Sequence, residues 1–467
     1  MSLLALELCD VGMMVAASDP AKLLPIDGGN TESPGIALVE KKGLIIGKAA
    51  EKKAHLVPNL AIDRFWDQLN TEPLGQSNPY AQNHAELAYE HLARIWESVK
   101  HHGNEVVIAV PGFLSRDQMG LILGMARELS IPVTGFVVQG VVAASSGLPE
   151  GLLLHLDMHL HRSEVTYLER NDRITYKDSL TADGNGMVRL FREWANAIAE
   201  EFVGKTRFDP LHEAASEQEL YNRLPHVLQE LQQNPSVDLE MKGGSKTFHV
   251  TLTQDLFIQK SEPVFRQIDQ HIDHILRHHG KADSAVILQV THRLARLPGA
   301  KAMLARDRDW LVVDLEPGAA ALGTLQGWHS STGPQGRRGA PFLTSRPLPA
   351  SGQGRISPPP PQETRRPTHL LYQDLAYPIT SQPLFIGQGH LSDEPGLVIQ
   401  KLNDATFENY CAIQVQGTRV VLDNLSSHGI FVDENRVTEN AVLQLGQVIR
   451  VGTSGETLRL IACREIP

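Results

Sequence analysis

The residues of this chain best suited to holding a metal ion are histidines, and they fall into two groups. His155, His159 and His161 lie within GLLLHLDMHLH (151–161), where alternation puts them on one face of an extended strand. Their separations run along that strand at about 3.3 Å per residue, whereas a tetrahedral zinc ion needs ligands that converge on one point. His271, His274 and His278 share one side of a helix by their spacing, with His279 beside them, but no HExxH pattern or neighbouring cysteine accompanies them. Packed or solvated histidines are expected in both groups, and no metal site is expected. Cys9, Cys411 and Cys463 are isolated and odd in number, so they form neither a disulfide framework nor a CxxC knuckle. The sequence has no GxSxG nucleophile elbow and no GxxxxGK[ST] phosphate loop. No Ser-His-Asp set stands out.

The elements that would position these residues alternate in type. Residues 3–17 read as a strand, and 35–47 as two short strands around a Glu-Lys-Lys-Gly turn. A helical pattern over 81–102 precedes the apolar strand NEVVIAVP (104–111), a helix from Ser115 to Leu129, the strand IPVTGFVVQG and a small-residue helix start at Val141 to Ser146. Two adjacent strands follow within 151–169, then an amphipathic helix over 187–202 and a charged helical stretch over 210–233. KTFHVTLT ends at Thr253, an N-cap for a helix from Gln254 in which Val264, Ile268, Ile272 and Ile275 recur at helical spacing. A strand at 284–290, a helix and a strand at 310–314 complete a module ending near 329. This succession predicts an α/β fold.

Composition then changes. Residues 331–367 are rich in Gly, Pro, Ser and Arg and nearly free of acids, so 330–369 is expected to be a linker. From 370 to 467, short β-prone runs recur between turns: LVIQKL, CAIQVQG, RVVLDN, GIFVDENRV, AVLQLGQVIRVG and TLRLIACRE. They predict an all-β sandwich. The 467 residues suit two to four folding units. A formal charge of −11 disfavours nucleic-acid binding, since phosphates would be repelled. The first residues carry Glu7 and Asp10 and lack a basic leader, and no apolar run reaches membrane-spanning length. A cytoplasmic protein without membrane insertion is the expectation.

In their order, several passages resemble the actin/Hsp70 family of two-lobed, ribonuclease H-like ATPases. They are VVIAVPGFLSRDQMGLILGMARELSIPVTGFVVQGVVAAS (106–145), LFREWANAIAEEFVGKTRFDP (190–210), FHVTLTQDLF (248–257), AVILQVTHRLARLPGAKAML (285–304) and EPGAAALGTL (316–325). The resemblance implies a nucleotide cleft in residues 1–329, with Glu7 and Asp157 as the acidic residues of two phosphate hairpins acting through magnesium. His159, His161 and Arg162 would supply positive charge, and Gly299 and Gly318 flexible backbone. The hairpins depart from the family pattern: Cys9, Asp10, Val11 and Met13 replace small or hydroxyl residues in the first. His159, Leu160 and His161 stand where three glycines are expected in the second, and Val290, Thr291 and His292 replace glycines in a later loop. Side chains there obstruct the backbone approach that phosphate binding needs.

PLFIGQG (383–389), VLDNLSSHGIFVDENRV (421–437) and LQLGQVIRVG (443–452) resemble a forkhead-associated domain. The resemblance implies a phosphothreonine-recognition surface at Gln388, Ser426, Ser427 and His428. Gln388 stands where arginine is expected, Glu408 and Asn409 where Ser-Arg is expected, Cys411 at a structural histidine and His428 at an asparagine. With both sites altered, the expectation is a noncatalytic interaction scaffold. It would bind unknown protein partners through the forkhead-associated-like loops or the basic Pro-rich linker. The alternative is a nucleotide-responsive, chaperone-related switch with Mg-ATP or Mg-ADP as cofactor; otherwise no cofactor is expected.

Overall fold

The structure, a computed structural model, describes residues 2–41, 43–74, 80–144, 148, 151–279, 285–306, 308, 310–328, 340–348, 367–372, 375–387, 396–399, 409–416, 419–426, 429–432, 435–445, 447–451 and 457–461. The chain divides into two compact units, Met1–Ala350 and Ser351–Pro467.

The first unit uses one plan twice. β1 (Leu3–Glu7), β2 (Met14–Ser18) and β3 (Ala21–Leu23) form an antiparallel meander. A small sheet of β4 (Ala37–Glu40), β5 (Gly43–Ile46) and β6 (Ala61–Ile62) follows, with α1 (Lys48–Glu51) and α2 (His84–Val99). The chain returns through β7 (Glu105–Val110), α3 (Arg116–Glu128), β8 (Val133–Val138) and α4 (Gln139–Ala143). β7 lies parallel to β1 and β8 parallel to β7. The second half opens with the antiparallel β9 (Leu152–Met158), β10 (Arg162–Arg170) and β11 (Arg173–Asp183). Next come α5 (Met187–Thr206), α6 (Ala214–Gln233), the hairpin β12 (Ser236–Gly243) and β13 (Lys246–Thr253), and α7 (Gln254–His279). β14 (Val286–Val290), α8 (His292–Ala295), α9 (Ala300–Leu304), β15 (Trp310–Asp314) and α10 (Ala319–Gly327) close the repeat, with β14 parallel to β9 and β15 parallel to β14.

The expected strand over 3–17 is thus two strands around the turn Leu8–Met13. The expected linker also differs at its start. β16 (Phe342–Leu343) adds to the edge of the first sheet beside β8, and β17 (Ser345–Pro347) to the edge of the second beside β11. The resulting orders are β16-β8-β7-β1-β2-β3 and β15-β14-β9-β10-β11-β17.

Local sequence accounts for these elements. Ser115 accepts from the Gln118 N–H while Gln118 accepts from the Ser115 N–H, a reciprocal cap that starts α3. The central parallel strands are covered on both faces and therefore read as apolar runs rather than as alternation. In β9, Leu152, Leu154, Leu156 and Met158 enter a core with α5, α6 and α7. Leu153, His155 and Asp157 take the other face, where Leu153 meets Val138 and Val141. In β1, Leu4 and Leu6 join a core with α2 and α3, while Ala5 packs on Ala321 of α10 and Glu7 shares that face. Alternation in two equivalent strands thus turns Glu7 and Asp157 toward α4 and α10. Those helices touch at Gly323, where a Cβ would lie 2.0 Å from the Val142 carbonyl oxygen.

In the second unit, β18 (His369–Tyr372), β19 (Leu375–Pro378), β20 (Leu384–Gly387), β21 (Gly396–Val398), β22 (Asn409–Gln416), β23 (Arg419–Asn424), β24 (Ile430–Val432), β25 (Asn435–Val437), β26 (Asn440–Leu443), β27 (Val448–Val451) and β28 (Thr457–Ile461) form two sheets. Their orders are β19-β18-β28-β27-β24-β25 and β21-β20-β22-β23-β26. Neighbours are antiparallel except β20 and β21. Leu370, Ile449 and Leu458 from one sheet and Ile386, Ile413 and Leu422 from the other share one core. Among the described residues, no helix is long and apolar enough to cross a membrane.

Candidate functional site

Three turns at the ends of parallel-sheet strands meet inside the first unit: Leu8–Met13 after β1, His159–His161 after β9, and Thr291 with α8 after β14. Glu7 and Asp157 are both buried there, and the cation between them is Arg293. Its Nη2 lies 3.1 Å from Glu7 Oε1 and donates to the Gly12 carbonyl at 2.7 Å. Its Nη1 lies 3.8 Å from Asp157 Oδ2, an ion pair without a hydrogen bond. Glu7 Oε2 accepts from the Ala320 and Ala321 N–H groups at the start of α10, at 3.2 and 3.3 Å. Asp157 Oδ1 accepts from the Met158 N–H at 2.8 Å and the Thr291 hydroxyl at 2.6 Å.

These contacts set the charges. Burial opposes ionisation of Asp157, but Arg293, His159, His155 and the Thr291 hydrogen bond outweigh it and hold the carboxyl below its usual range. Burial likewise works against the Arg293 charge, while Cys9, Glu7 and Asp157 push its pKa above the ordinary value. Arg293 was not singled out in the sequence, although Thr291 and His292 were. Nothing in THRLAR marks its third residue to stand between Glu7 and Asp157.

Four further bases at these turns, His159, His161, Arg162 and His292, meet carboxylates of this chain. His159 Nδ1 lies 3.4 Å from Asp10 Oδ1 and its Nε2 3.7 Å from Glu164 Oε2. Burial opposes the imidazolium, but Cys9, Asp10 and Glu164 raise its pKa well above the ordinary value. Asp10 also accepts from the Leu160 N–H at 2.9 Å, tying the first hairpin to the second. His161 Nε2 lies 3.1 Å from Asp63, whose carboxyl is lowered despite its burial by that contact. Arg162 meets Asp67 at 2.6 and 2.7 Å and Asp183 at 3.4 Å, and stacks over Phe113 at 4.7 Å. His292 Nε2 lies 3.0 Å from Glu32. Each basic residue expected to meet a phosphate therefore faces a carboxylate of this chain.

The proposed glycines separate. Gly318 caps α10 with φ near +71°, a conformation that L side chains avoid, and its neighbours Ala319 and Ala320 line the site. Gly299 starts α9 against Ile258 and lies away from this cavity. The cavity bounded by Glu7, Gln139, His155, Asp157, Thr291 and Glu316 is about 10 Å³. That is room for about one water. Arg293 thus stands between the two carboxylates expected to act through magnesium, and the cavity beside them has room for about one water.

A serine and histidine do meet elsewhere, with the wrong polarity for nucleophilic catalysis. The Trp66 indole N–H donates to His91 Nδ1 at 3.0 Å, so the His91 proton resides on Nε2, 2.8 Å from Ser33 Oγ. Ser33 in turn donates to Asp27 at 2.7 Å. The imidazole donates a hydrogen bond to this serine hydroxyl and so offers it no lone pair to take its proton.

In the second unit, the Ser426 N–H donates to Asn424 Oδ1 at 3.2 Å, which shapes the turn after β23. Cys411 is buried in the shared core, and burial pushes its thiol up to about 12. Gln388, Ser427 and His428 lie outside the described residues.

The chain matches no protein-family model, and no curated protein matches its sequence.

Proposed function

We propose that this protein is a non-hydrolysing relative of the two-lobed actin/Hsp70-type ATPases, joined to a forkhead-associated-type β-sandwich, and that it serves as a protein-binding scaffold. The strand plan used twice and the matched strand-end positions of Glu7 and Asp157 support the first part. Sheets of six and five strands around one core support the second.

The observation that carries the functional reading is the Arg293 guanidinium between Glu7 and Asp157. A nucleotide-hydrolysing cleft keeps such carboxylates free to organise a metal ion and a water around transferring phosphate. Here an internal cation stands between them. A phosphate arriving at the hairpins would also have to displace Asp10 from His159 and Asp67 from Arg162. The two lobes then serve as a fixed body. Partner recognition falls to the loops of the β-rich unit, including Gln388, Ser426, Ser427 and His428, and to the basic Pro-rich segment.

Calorimetric titration of the full chain with Mg-ATP and with Mg-ADP, followed by a turnover assay, tests this reading. No saturable heat and no turnover are expected. Micromolar binding that is lost in Glu7→Ala or Asp157→Ala would overturn it, and turnover lost in the same variants would make the protein an enzyme.

A further inference from the structure

The turns after β1 and β9 also bring together three side chains of a different character. Cys9 Sγ, an Asp10 carboxylate oxygen and a His159 ring nitrogen all lie within 4.8 Å of one another, and all three residues are buried. His159 Nδ1 is 3.7 Å from Cys9 Sγ and 3.4 Å from Asp10 Oδ1. The Nδ1–Oδ1 separation is long for a hydrogen bond, while the Nδ1–Sγ separation is within hydrogen-bond reach of a sulfur. They are close to the edges of a tetrahedral zinc site, where metal bonds of about 2.3 Å to sulfur and about 2.0–2.1 Å to nitrogen or oxygen place ligand atoms roughly 3.3–3.6 Å apart.

A second observation is independent of that spacing. The far nitrogen of the same imidazole, Nε2, is buried without a hydrogen bond and lies 3.7 Å from Glu164 Oε2, an ion-pair distance. The other oxygen of Glu164 accepts from Thr166 Oγ1 and Ser179 Oγ, so the carboxylate is fixed in place. A carboxylate on that side favours the proton on Nε2 and so leaves Nδ1 to ligate; around protein-bound zinc such a carboxylate accepts a hydrogen bond from the ligand histidine. The Leu160 N–H holds Asp10 on the opposite side. Two strand-end hairpins, one from each half, thus supply the donors: Cys9 and Asp10 from the first, His159 from the second.

We propose that Cys9, Asp10 and His159 form a binding site for one thiophilic divalent cation, with zinc as the ion that suits a sulfur, nitrogen and oxygen donor set. Three protein ligands leave the fourth tetrahedral position unassigned. Glu164 is a positioning residue for His159. The histidine trio at 155, 159 and 161 does not act together: His161 turns to Asp63 and His155 lines the cavity beside Asp157. The proposal is separate from the scaffold reading, because the ion would staple the two halves together and not serve a nucleotide.

The test uses the full chain, stripped with a chelator and then refolded from denaturant with either zinc or cobalt so that burial of the site does not limit entry. One equivalent of zinc is expected to remain after desalting, and cobalt should give a thiolate-to-metal charge-transfer band in the near ultraviolet. Cys9→Ser should abolish that band, and Glu164→Gln should weaken zinc affinity by about 10–100-fold while the ion stays bound at high concentration. Circular dichroism of each metal-free variant checks its fold, and the conservative Glu164→Gln retains a readout if Cys9→Ser does not fold. Two outcomes overturn the proposal. One is failure to retain zinc after refolding. The other is retained zinc that is unchanged in Cys9→Ser and Glu164→Gln but lost in His274→Ala/His278→Ala, which would place the ion on the surface of α7.

Discussion

At the scale of single residues, Arg293 shows how a buried charge is kept without solvent. Its guanidinium has carboxylates on two sides and the Gly12 carbonyl on a third. Replacing it with methionine would preserve bulk but leave Glu7 and Asp157 as uncompensated buried anions. Removing one partner of a buried ion pair costs about 3–5 kcal/mol. Chemical denaturation of Arg293→Met should show a loss of that size, and the triple variant Arg293→Met/Glu7→Gln/Asp157→Asn should recover most of it. Equal stability of the single variant and the wild type would mean that the charges are solvated. His91 gives a pH prediction. Burial, only partly countered by Asp27, lowers its pKa to about 3, against about 6.5 when unfolded. Between those values the unfolded chain binds the proton and the folded chain does not. The stability from neutral His91 is therefore complete above about pH 6.5 and is lost as pH falls toward 3, at about 1.4 kcal/mol per pH unit. Between pH 6 and 4, His91→Gln should lose stability less steeply than wild type by about that slope; parallel curves would refute the assignment.

At the scale of elements, the notable piece is β16 and β17. Composition marked this stretch as linker, because SRPLP within a Gly-, Pro- and Arg-rich run carries no periodicity. It forms strands because the first unit offers two unpaired sheet edges. Leu343 lies opposite Val137, and Arg346 opposite Ile174. The Phe136 N–H donates to the Pro341 carbonyl, and the Leu348 N–H to the Asp172 carbonyl, so the segment covers an edge in each sheet. A fragment ending at Ala350 should therefore melt above one ending at Ala340 by a few degrees, roughly 2–4 °C for each kcal/mol of lost pairing. Coincident melting curves would make the strap dispensable. The regular elements were more legible. The helix over Gln254–His279 buries Val264, Ile268, Ile272 and Ile275, the residues whose spacing predicted it, and the strand over 310–314 stands at the predicted bounds.

For the whole molecule, the sequence by itself determined the division into a mixed α/β unit and a β-rich unit, because each has its own hydrophobic period and each period is a local property. It also determined that the turn after β9 and the one after β14 carry side chains where the resemblance expects glycines, which allow close approach of a backbone to phosphate. Tertiary structure alone decided what stands there instead. Glu7 and Arg293 are 286 positions apart, Cys9 and His159 are 150, and Asp67 and Arg162 are 95. No window of the sequence contains any of these pairs. Each pair exists because parallel pairing of β7 with β1 and of β14 with β9 carries strand ends from distant segments to one place. A burial pattern reports which face a residue takes, but a cation finds its carboxylate only when the two halves close around both.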